Sequence, residues 1–337
     1  MDVLWISTRM RTGITGNWCT VNCMPAENIT QMMITTPISW IERTWLCATQ
    51  FASAYMDVEI VRDGYQYNLH FGKRGENVGG LKKAPTKKKQ TGTRTHWKPD
   101  LEVFTEIDIP EEYYCDILRR QAVVNPNLLF VYRNEEADGS FTEKQYLYEN
   151  GIADYVQEIA GDAALTSIQN WSCQREGQDR SDKPMYKVKL NVALTFSNRI
   201  QKIEYYHNSS WLEHGGSPEK AVKQAFVSQI DSYLRQNGKY LKNEAKITFA
   251  DVEACLILVS SSFSTQTSYE NQTKKAITNK FVYEAMTEFL KHQLEIYFME
   301  NPDEADKIAQ QILVNKRSRE SAERTRLNMT KKALRNH

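Results

Sequence analysis

The chain has no excess of either charge: 43 Lys and Arg stand against 42 Asp and Glu in 337 residues. Without a global field, a charged partner can be selected only where charge clusters locally. Cysteine is scarce and scattered, at positions 19, 23, 47, 115, 173 and 255, and only Cys19 and Cys23 lie close together. With no second ligand pair at zinc spacing, the common zinc frameworks are excluded and free thiols in a reducing compartment are expected. No apolar run reaches spanning length, and no basic stretch followed by an apolar core opens the chain. The expectation is a soluble, cytoplasmic protein with no membrane partner. No fixed-period repeat is present, which excludes solenoids and propellers. The length suffices for two or three domains, each with its own core.

What the chain does contain is legible from Met56 onward. "MDVEIVRDGYQYNLHF" alternates apolar and polar on both sides of Arg62-Asp63-Gly64, the pattern of a hairpin. Residues 79–92, "GGLKKAPTKKKQTG", carry five lysines with Gly and Pro and few apolar residues, and are expected to be a mobile surface loop. "TRTHW" returns to a strand. "PEEYYCDILRRQAVV" has proline and acids at a helix start, while "NLLFVYRN" and "FTEKQYLY" flank Asp138-Gly139 as strands. "YKVKLNVALTFS" and "KIEYYHNS" predict a further hairpin. "SPEKAVKQAFVSQIDSYLRQNG" predicts a helix capped by its serine and closed by glycine. "ACLILVSSSF" reads as a buried strand and "KFVYEAMTEFLKHQLEIYFME" as an amphipathic helix. Beyond Pro302 a polar tail holds nine Lys or Arg and two Glu between Lys307 and His337. As one helix it would be a rod about 50 Å long at ~1.5 Å per residue. So thin an apolar stripe predicts a lever that gains little by packing on its own domain.

Between the buried strand and the amphipathic helix lies "YENQTKKAITN", Tyr269 to Asn279. A Gln-Thr pair beside lysines offers amide, hydroxyl and ammonium donors suited to phosphate oxygens, with a helix N-terminus close by. An earlier Gln-Thr, at 266 and 267, lacks the lysine. The order of "RDGYQYNLHF", "TGTRTHWKPDLEVF", "LEHGGSPEKAVKQAF", "ITFADVEACLILVSSSF", "YENQTKKAITN" and "NKRSRESAERTRLNMTKKAL" resembles the gyrase B family, the ATPase subunits of DNA gyrase and of its topoisomerase IV counterpart, over roughly 46–334. Several motifs in one order over so much chain are far more specific than any one alone.

That resemblance implies an α/β fold: a partial GHKL ATPase sheet, then a ribosomal protein S5 domain 2-like transducer with a four-stranded sheet carrying helices on one face, then a long basic helix. The expected divisions are 1–45, 46–104 for the ATPase remnant, 105–300 for the transducer and 301–337 for the exit helix. The resemblance further implies that Gln272 and Lys274 contact the γ-phosphate of ATP and that Thr93 helps hold the adenine. Asn271 stands where the family usually has glycine, a change that left-handed backbone tolerates. ATP with magnesium, DNA, a separate DNA-cleaving subunit and a homodimer partner belong to the parent enzyme. Lys82, Lys83, Lys87, Lys88 and Lys89 are candidate DNA contacts.

The family's catalytic glutamate, magnesium-binding asparagine, Asp-x-Gly-x-Gly turn and Gly-rich lid are not found in residues 1–45, and composition shifts abruptly at Leu46. Trp40 to Trp45 can be encoded TGG ATT GAA CGG ACT TGG, which read one base later gives Gly-Leu-Asn-Gly-Leu-Gly, the spacing of the lid. Met24 to Pro37 can be encoded so that a reading two bases later gives a run resembling the lid approach. Residues 1–45 are therefore read as a frameshifted segment, with an unrelated extension as the other reading. The chain alone is expected not to perform the DNA chemistry. The resemblance implies a transducer relaying ATP state to DNA strand passage, and two further readings stand beside it: an S5-like module that binds nucleic acid through phosphates, and an independent enzyme, for which the six histidines supply no assembled nucleophile and base.

Overall fold

The computed structural model describes residues 7–10, 49–89, 91–271 and 273–335. Apart from the strand at 7–10, the frameshift expectation lies outside the described residues. The chain divides into two compact units, one of residues 1–122 and 127–147, the other of 123–126 and 148–337.

The first unit carries strands β1 (Ser7–Met10), β2 (Ser53–Arg62), β3 (Tyr65–Phe71), β4 (Lys82–Pro85) and β5 (Gly92–Pro99), most of helix α1 (Glu111–Val124), then β6 (Leu128–Glu135) and β7 (Phe141–Tyr146). They form two antiparallel sheets, in the orders β1-β6-β7 and β4-β3-β2-β5. The β2–β3 hairpin turns on Asp63 (φ 53) and Gly64 (φ 77), the positive angles a two-residue turn needs to match strand twist. Because residues directly opposite share a face, Met56, Val58, Leu69, Phe71 and Trp97 pack together on one side of the larger sheet. Asp57, Glu59, Asn68, His70, Arg94 and His96 fall on the other. The expected loop at 79–92 is corrected: Lys82–Pro85 is the edge strand β4, with Tyr67 opposite Lys83 and Asn68 opposite Lys82. Sequence alternation had nothing to show there, since a solvent-exposed edge needs no apolar face.

The second unit runs α2 (Ile152–Ala160), β8 (Gln169–Gly177), β9 (Tyr186–Phe196), β10 (Lys202–His207), β11 (Ser210–Trp211), α3 (Ser217–Gln236), α4 (Phe249–Glu253), β12 (Leu256–Ser264), α5 (Lys280–Glu300) and α6 (Pro302–Arg335). Its sheet has the order β11-β10-β12-β9-β8, four long strands with a two-residue edge. The predicted β9–β10 hairpin is corrected, because β12 lies between them, antiparallel to β9 and parallel to β10. A parallel pair needs a crossover of a dozen or more residues, and α3 supplies it. Val188, Leu190, Val192, Leu194, Phe196, Leu256 and Leu258 form the core with Phe226, Ile230 and Leu234 of α3 and Met286, Phe289, Leu290 and Leu294 of α5. The alternate residues Ala193, Ile257 and Val259 are buried too. Helix α2 lies against β9 and β12, so helices are not confined to one face.

Two helix ends differ from expectation. Ser217 does not cap α3: Gly216 holds that position at φ 86, and the Ser217 hydroxyl donates to Ile277 O at 3.2 Å. Helix α6 is no free lever along its whole length. Ala305, Ile308, Ala309, Ile312 and Leu313 are buried in the core, while every residue from Ser321 to Met329 is exposed. Between these parts Lys316 is fully buried on Glu244 and Glu320 at 3.2 and 3.0 Å. Arg317 also pairs with Glu244. Hydrogen bonding from Arg317 leads the effects that hold the Glu244 carboxyl down at about 2. Arg319 grips Asp251 at 2.7 and 3.1 Å, and Asp251 completes the Thr248 capping box of α4. Burial disfavours the charge on Asp251, but Arg319 and Thr248 outweigh it and hold the carboxyl below its usual value.

Candidate functional site

The segment from Ser268 to Asn279 is a short hairpin clamped at its stem. Thr278 N donates to Ser268 O (2.8 Å) and Glu270 N to Ala276 O (3.0 Å), with Tyr269 bridging Ile277. The other side of Ile277 pairs with Gly216, and Ser217 N donates to Ile277 O at 2.9 Å. The approach is so close that a Cβ on Gly216 would lie 2.2 Å from Ile277 O. This is the physical content of the Gly-Gly turn: a backbone must pass where a side chain would sit. His214 N donates to Lys275 O (2.9 Å), and the Lys275 ammonium pairs with Glu213.

The base of the hairpin is a buried polar knot. Asn279, 1% exposed, donates through Nδ2 to Asp179 (3.0 Å), Tyr186 (3.1 Å) and Gln266 O (3.3 Å), while its Oδ1 accepts from Ser268 N (2.8 Å). Asp179 also accepts from Phe281 N at 2.8 Å, in the first turn of α5. The ring nitrogens of His207 meet Ser262 (2.8 Å) and Thr267 (2.9 Å), and burial pulls its pKa down to about 4, so the ring is neutral near pH 7. The early Gln-Thr pair thus belongs to the foundation: Thr267 also accepts from Asn208 at 3.0 Å, and Gln266 O accepts from Ser264 at 2.7 Å.

At the tip, Asn271 acts through its side chain: Oδ1 accepts from Thr273 N (3.2 Å) and Thr273 Oγ1 (2.5 Å). Left-handed backbone occurs at Lys274, φ 58, with Lys274 N donating to Asn271 O at 3.2 Å. The half-buried Lys274 ammonium sits 5.7 Å from the centroid of the Tyr269 ring, within cation–π range. Two adjacent lysines are therefore sent different ways, Lys275 to Glu213 and Lys274 over Tyr269. Gln272 lies outside the described residues.

The remaining candidates lie in the first unit. Thr93 is exposed on β5, opposite Ile60, on the face shared with Tyr67 and Lys83. Of the five tract lysines, Lys83 rests 4.0 Å over the Tyr65 ring and Lys88 pairs with Glu59 at 3.0 Å. Lys82, Lys87 and Lys89 are exposed. Sequence reasoning singled out Lys274 but missed Asn279, Asp179 and His207, whose partners are up to about a hundred positions away in the chain and leave no local pattern.

The hairpin and its Gly-Gly buttress hold Lys274 and Lys275 at the margin of an α/β domain. The model for the DNA gyrase B family matches residues 151–328, more than half of the chain, and the chain belongs to that family. The DNA gyrase B protein of Mycoplasmoides gallisepticum is 26% identical over 265 residues, covering 76% of this chain and 40% of that protein. Its counterpart from Streptococcus pyogenes serotype M1 is 26% identical over 276 residues, 81% of this chain and 41% of the relative. The chain thus spans about two-fifths of the length of the curated relatives it matches. Among solved structures, the 43K ATPase domain of Thermus thermophilus gyrase B, in complex with an aminocoumarin, superposes with a TM-score of 0.64 at 22% identity, covering 91% of this chain and 80% of that one. The topoisomerase IV ATP-binding domain of Francisella tularensis gives 0.60 at 24%, covering 80% and 71%. These two likenesses carry the α/β fold. No helix among the described residues is long and apolar enough to cross a membrane.

Proposed function

We propose that the chain carries the nucleotide-sensing transducer of the ATPase subunit of a type II DNA topoisomerase, with Lys274 as the γ-phosphate sensor of ATP and Gln272 beside it. The observation that supports this most is the clamped hairpin. Lys274 stands at the tip of a hairpin whose stem is tied to a helix start, a Gly-Gly turn and a buried asparagine, so displacement of the stem is carried to the lysine, as a sensor coupled to domain motion requires. An ammonium held beside a splitting phosphoanhydride counters developing charge without reorganisation. Residues 46–104 then belong to a partial ATPase sheet on which Thr93 contacts adenine, 301–337 to the exit helix, and the transducer occupies the chain between. The DNA-cleaving subunit, DNA and a second copy of the ATPase subunit are the partners of the parent enzyme, in the cytoplasm. Among the described residues no group of three or more His, Cys, Asp or Glu is placed to hold a metal ion.

The test joins residues 49–335 to the upstream ATPase segment of a relative and measures ATP turnover. Lys274→Ala should lower the rate ~10²- to 10³-fold, with an unchanged melting curve. Lys275→Ala, which removes an ion pair with Glu213, should leave it within a few-fold, and Gln272→Ala should fall between, since a neutral donor stabilises charge less than an ammonium. A silent Lys274→Ala sinks the sensor role. The 337-residue chain by itself should release no phosphate from ATP above a denatured control.

A further inference from the structure

We propose that Tyr269 is a positioning residue for the ATP reaction: the face of its ring holds the Lys274 ammonium at the place from which it meets the γ-phosphate. The inference rests on the sensor reading of Lys274 and adds the group that aims the lysine. A lysine is by itself a poor device for placing one charge, because its stem turns freely and ordering it opposes every binding event. The hairpin fixes where the Lys274 backbone stands, with Lys274 N on Asn271 O at 3.2 Å, yet leaves the reach of the side chain open. The ring closes it. Lys274 Nζ lies over Tyr269, 5.7 Å from the ring centroid, within the range at which a cation is drawn to the negative face of an aromatic ring.

Tyr269 is itself held in place. Its side chain packs against the apolar core of the second unit, so the ring is a fixed platform. Its backbone bridges Ile277 across the hairpin, between the bonds from Thr278 N to Ser268 O and from Glu270 N to Ala276 O. Ile277 is fully buried and is the residue that Gly216 meets, so the ring stands on the same stem that the Gly-Gly turn buttresses. The chain reverses between Tyr269 and Lys274, and Lys274 takes left-handed backbone at φ 58. The neighbouring lysine supplies the contrast. The Lys275 ammonium is engaged by the carboxylate of Glu213, a full opposite charge that competes with any phosphate for it. An aromatic face carries no net charge and takes no N–H donor away from an incoming oxygen, so it steadies an ammonium without neutralising it. Lys274 is thereby kept ready for an anion, and Lys275 is not.

The first readout needs no nucleotide. In the 337-residue chain carrying isotope-labelled lysine, the Lys274 Cε proton resonance, assigned by its loss in Lys274→Ala, should lie upfield of its position in Tyr269→Leu, because the ring face shields it. Tyr269→Phe keeps the ring and should keep the shift. The second readout uses the fused ATPase of the sensor test. Tyr269→Leu should lower turnover about 2- to 5-fold, the worth of a cation–π contact at a partly exposed site. Tyr269→Phe should turn over at the native rate, and in the Lys274→Ala background Tyr269→Leu should change nothing further. A loss that persists without Lys274 comes from core packing and overturns the inference. So does a Lys274 resonance that Tyr269→Leu leaves unmoved, and so does a Tyr269→Phe as slow as Tyr269→Leu, which assigns the effect to the hydroxyl. A silent Lys274→Ala overturns the sensor reading and this inference with it. The two failures are told apart because the ring shift is read without nucleotide.

Discussion

Two lysine-rich segments of this chain carry similar residues on different foundations. The tract at 82–89 lies on the outer edge of a sheet, held by one strand pairing, a turn hydrogen bond and one ion pair. The hairpin at 268–279 rests on a Gly-Gly turn with no clearance, on a 1% exposed asparagine and on a fully buried histidine. The first presents charge over a surface; the second presents one charge at one place. A lysine's side chain is the same in both, so the difference lies in what its backbone is tied to.

The largest expected effect breaks the hairpin's foundation. Gly216→Ala puts a Cβ against a backbone oxygen at a φ of 86, and neither can yield without moving β12's exit or the start of α3. A loss of about 4 kcal/mol in urea unfolding is expected. The matched change beside the tract, Gly80→Ala, has the same unfavourable angle, φ 67, but nothing within 4 Å. It should cost about 1 kcal/mol. Equal costs would mean that the two foundations do not differ.

Acid sharpens the comparison from another side. The pKa of His207, about 4, lies below the ordinary 6.5, so the unfolded chain takes up the proton first. Its contribution is complete above pH 6.5, declines as pH falls, and is gone below about 4, a change of about 3 kcal/mol. Unfolding curves for the native chain and His207→Gln, followed from neutral pH down to about 4.5, should converge as pH falls; parallel curves would show that His207 is not buried neutral. Glu244, held near 2, acts lower, its contribution present above about 4.5 and fading toward pH 2. The smallest effect belongs to the tract: Lys82→Ala or Lys87→Ala should change stability by less than about 0.5 kcal/mol.

Much of the architecture was readable in the chain. The β2–β3 hairpin announced itself by alternation around Asp63-Gly64, and β12 and α5 by their apolar periods. Helix α2 and strand β8 escaped notice. Strand β8 buries only Trp171 strongly along its nine residues, leaving almost no alternation to read. Lys274 stood out through its Gln-Thr neighbours, and Thr93 only through the family resemblance. The lysine tract was visible as charge, yet which of its lysines are engaged depends on Tyr65 and Glu59, more than fifteen positions away.

Local sequence by itself determined the elements whose signal lies within a few residues: hairpin turns, helix periods, the lysine-bearing loop and the balance of charge. These follow from backbone angles and from the spacing of apolar side chains, which act at short range in the chain. Only the tertiary structure decided that β12 inserts between β9 and β10, that α6 is half core and half exposed, and that adjacent Lys274 and Lys275 part company. Those outcomes rest on contacts between groups far apart in sequence, such as Asn279 with Asp179 and Arg319 with Asp251, whose energies exist only once the chain has closed the distance between them.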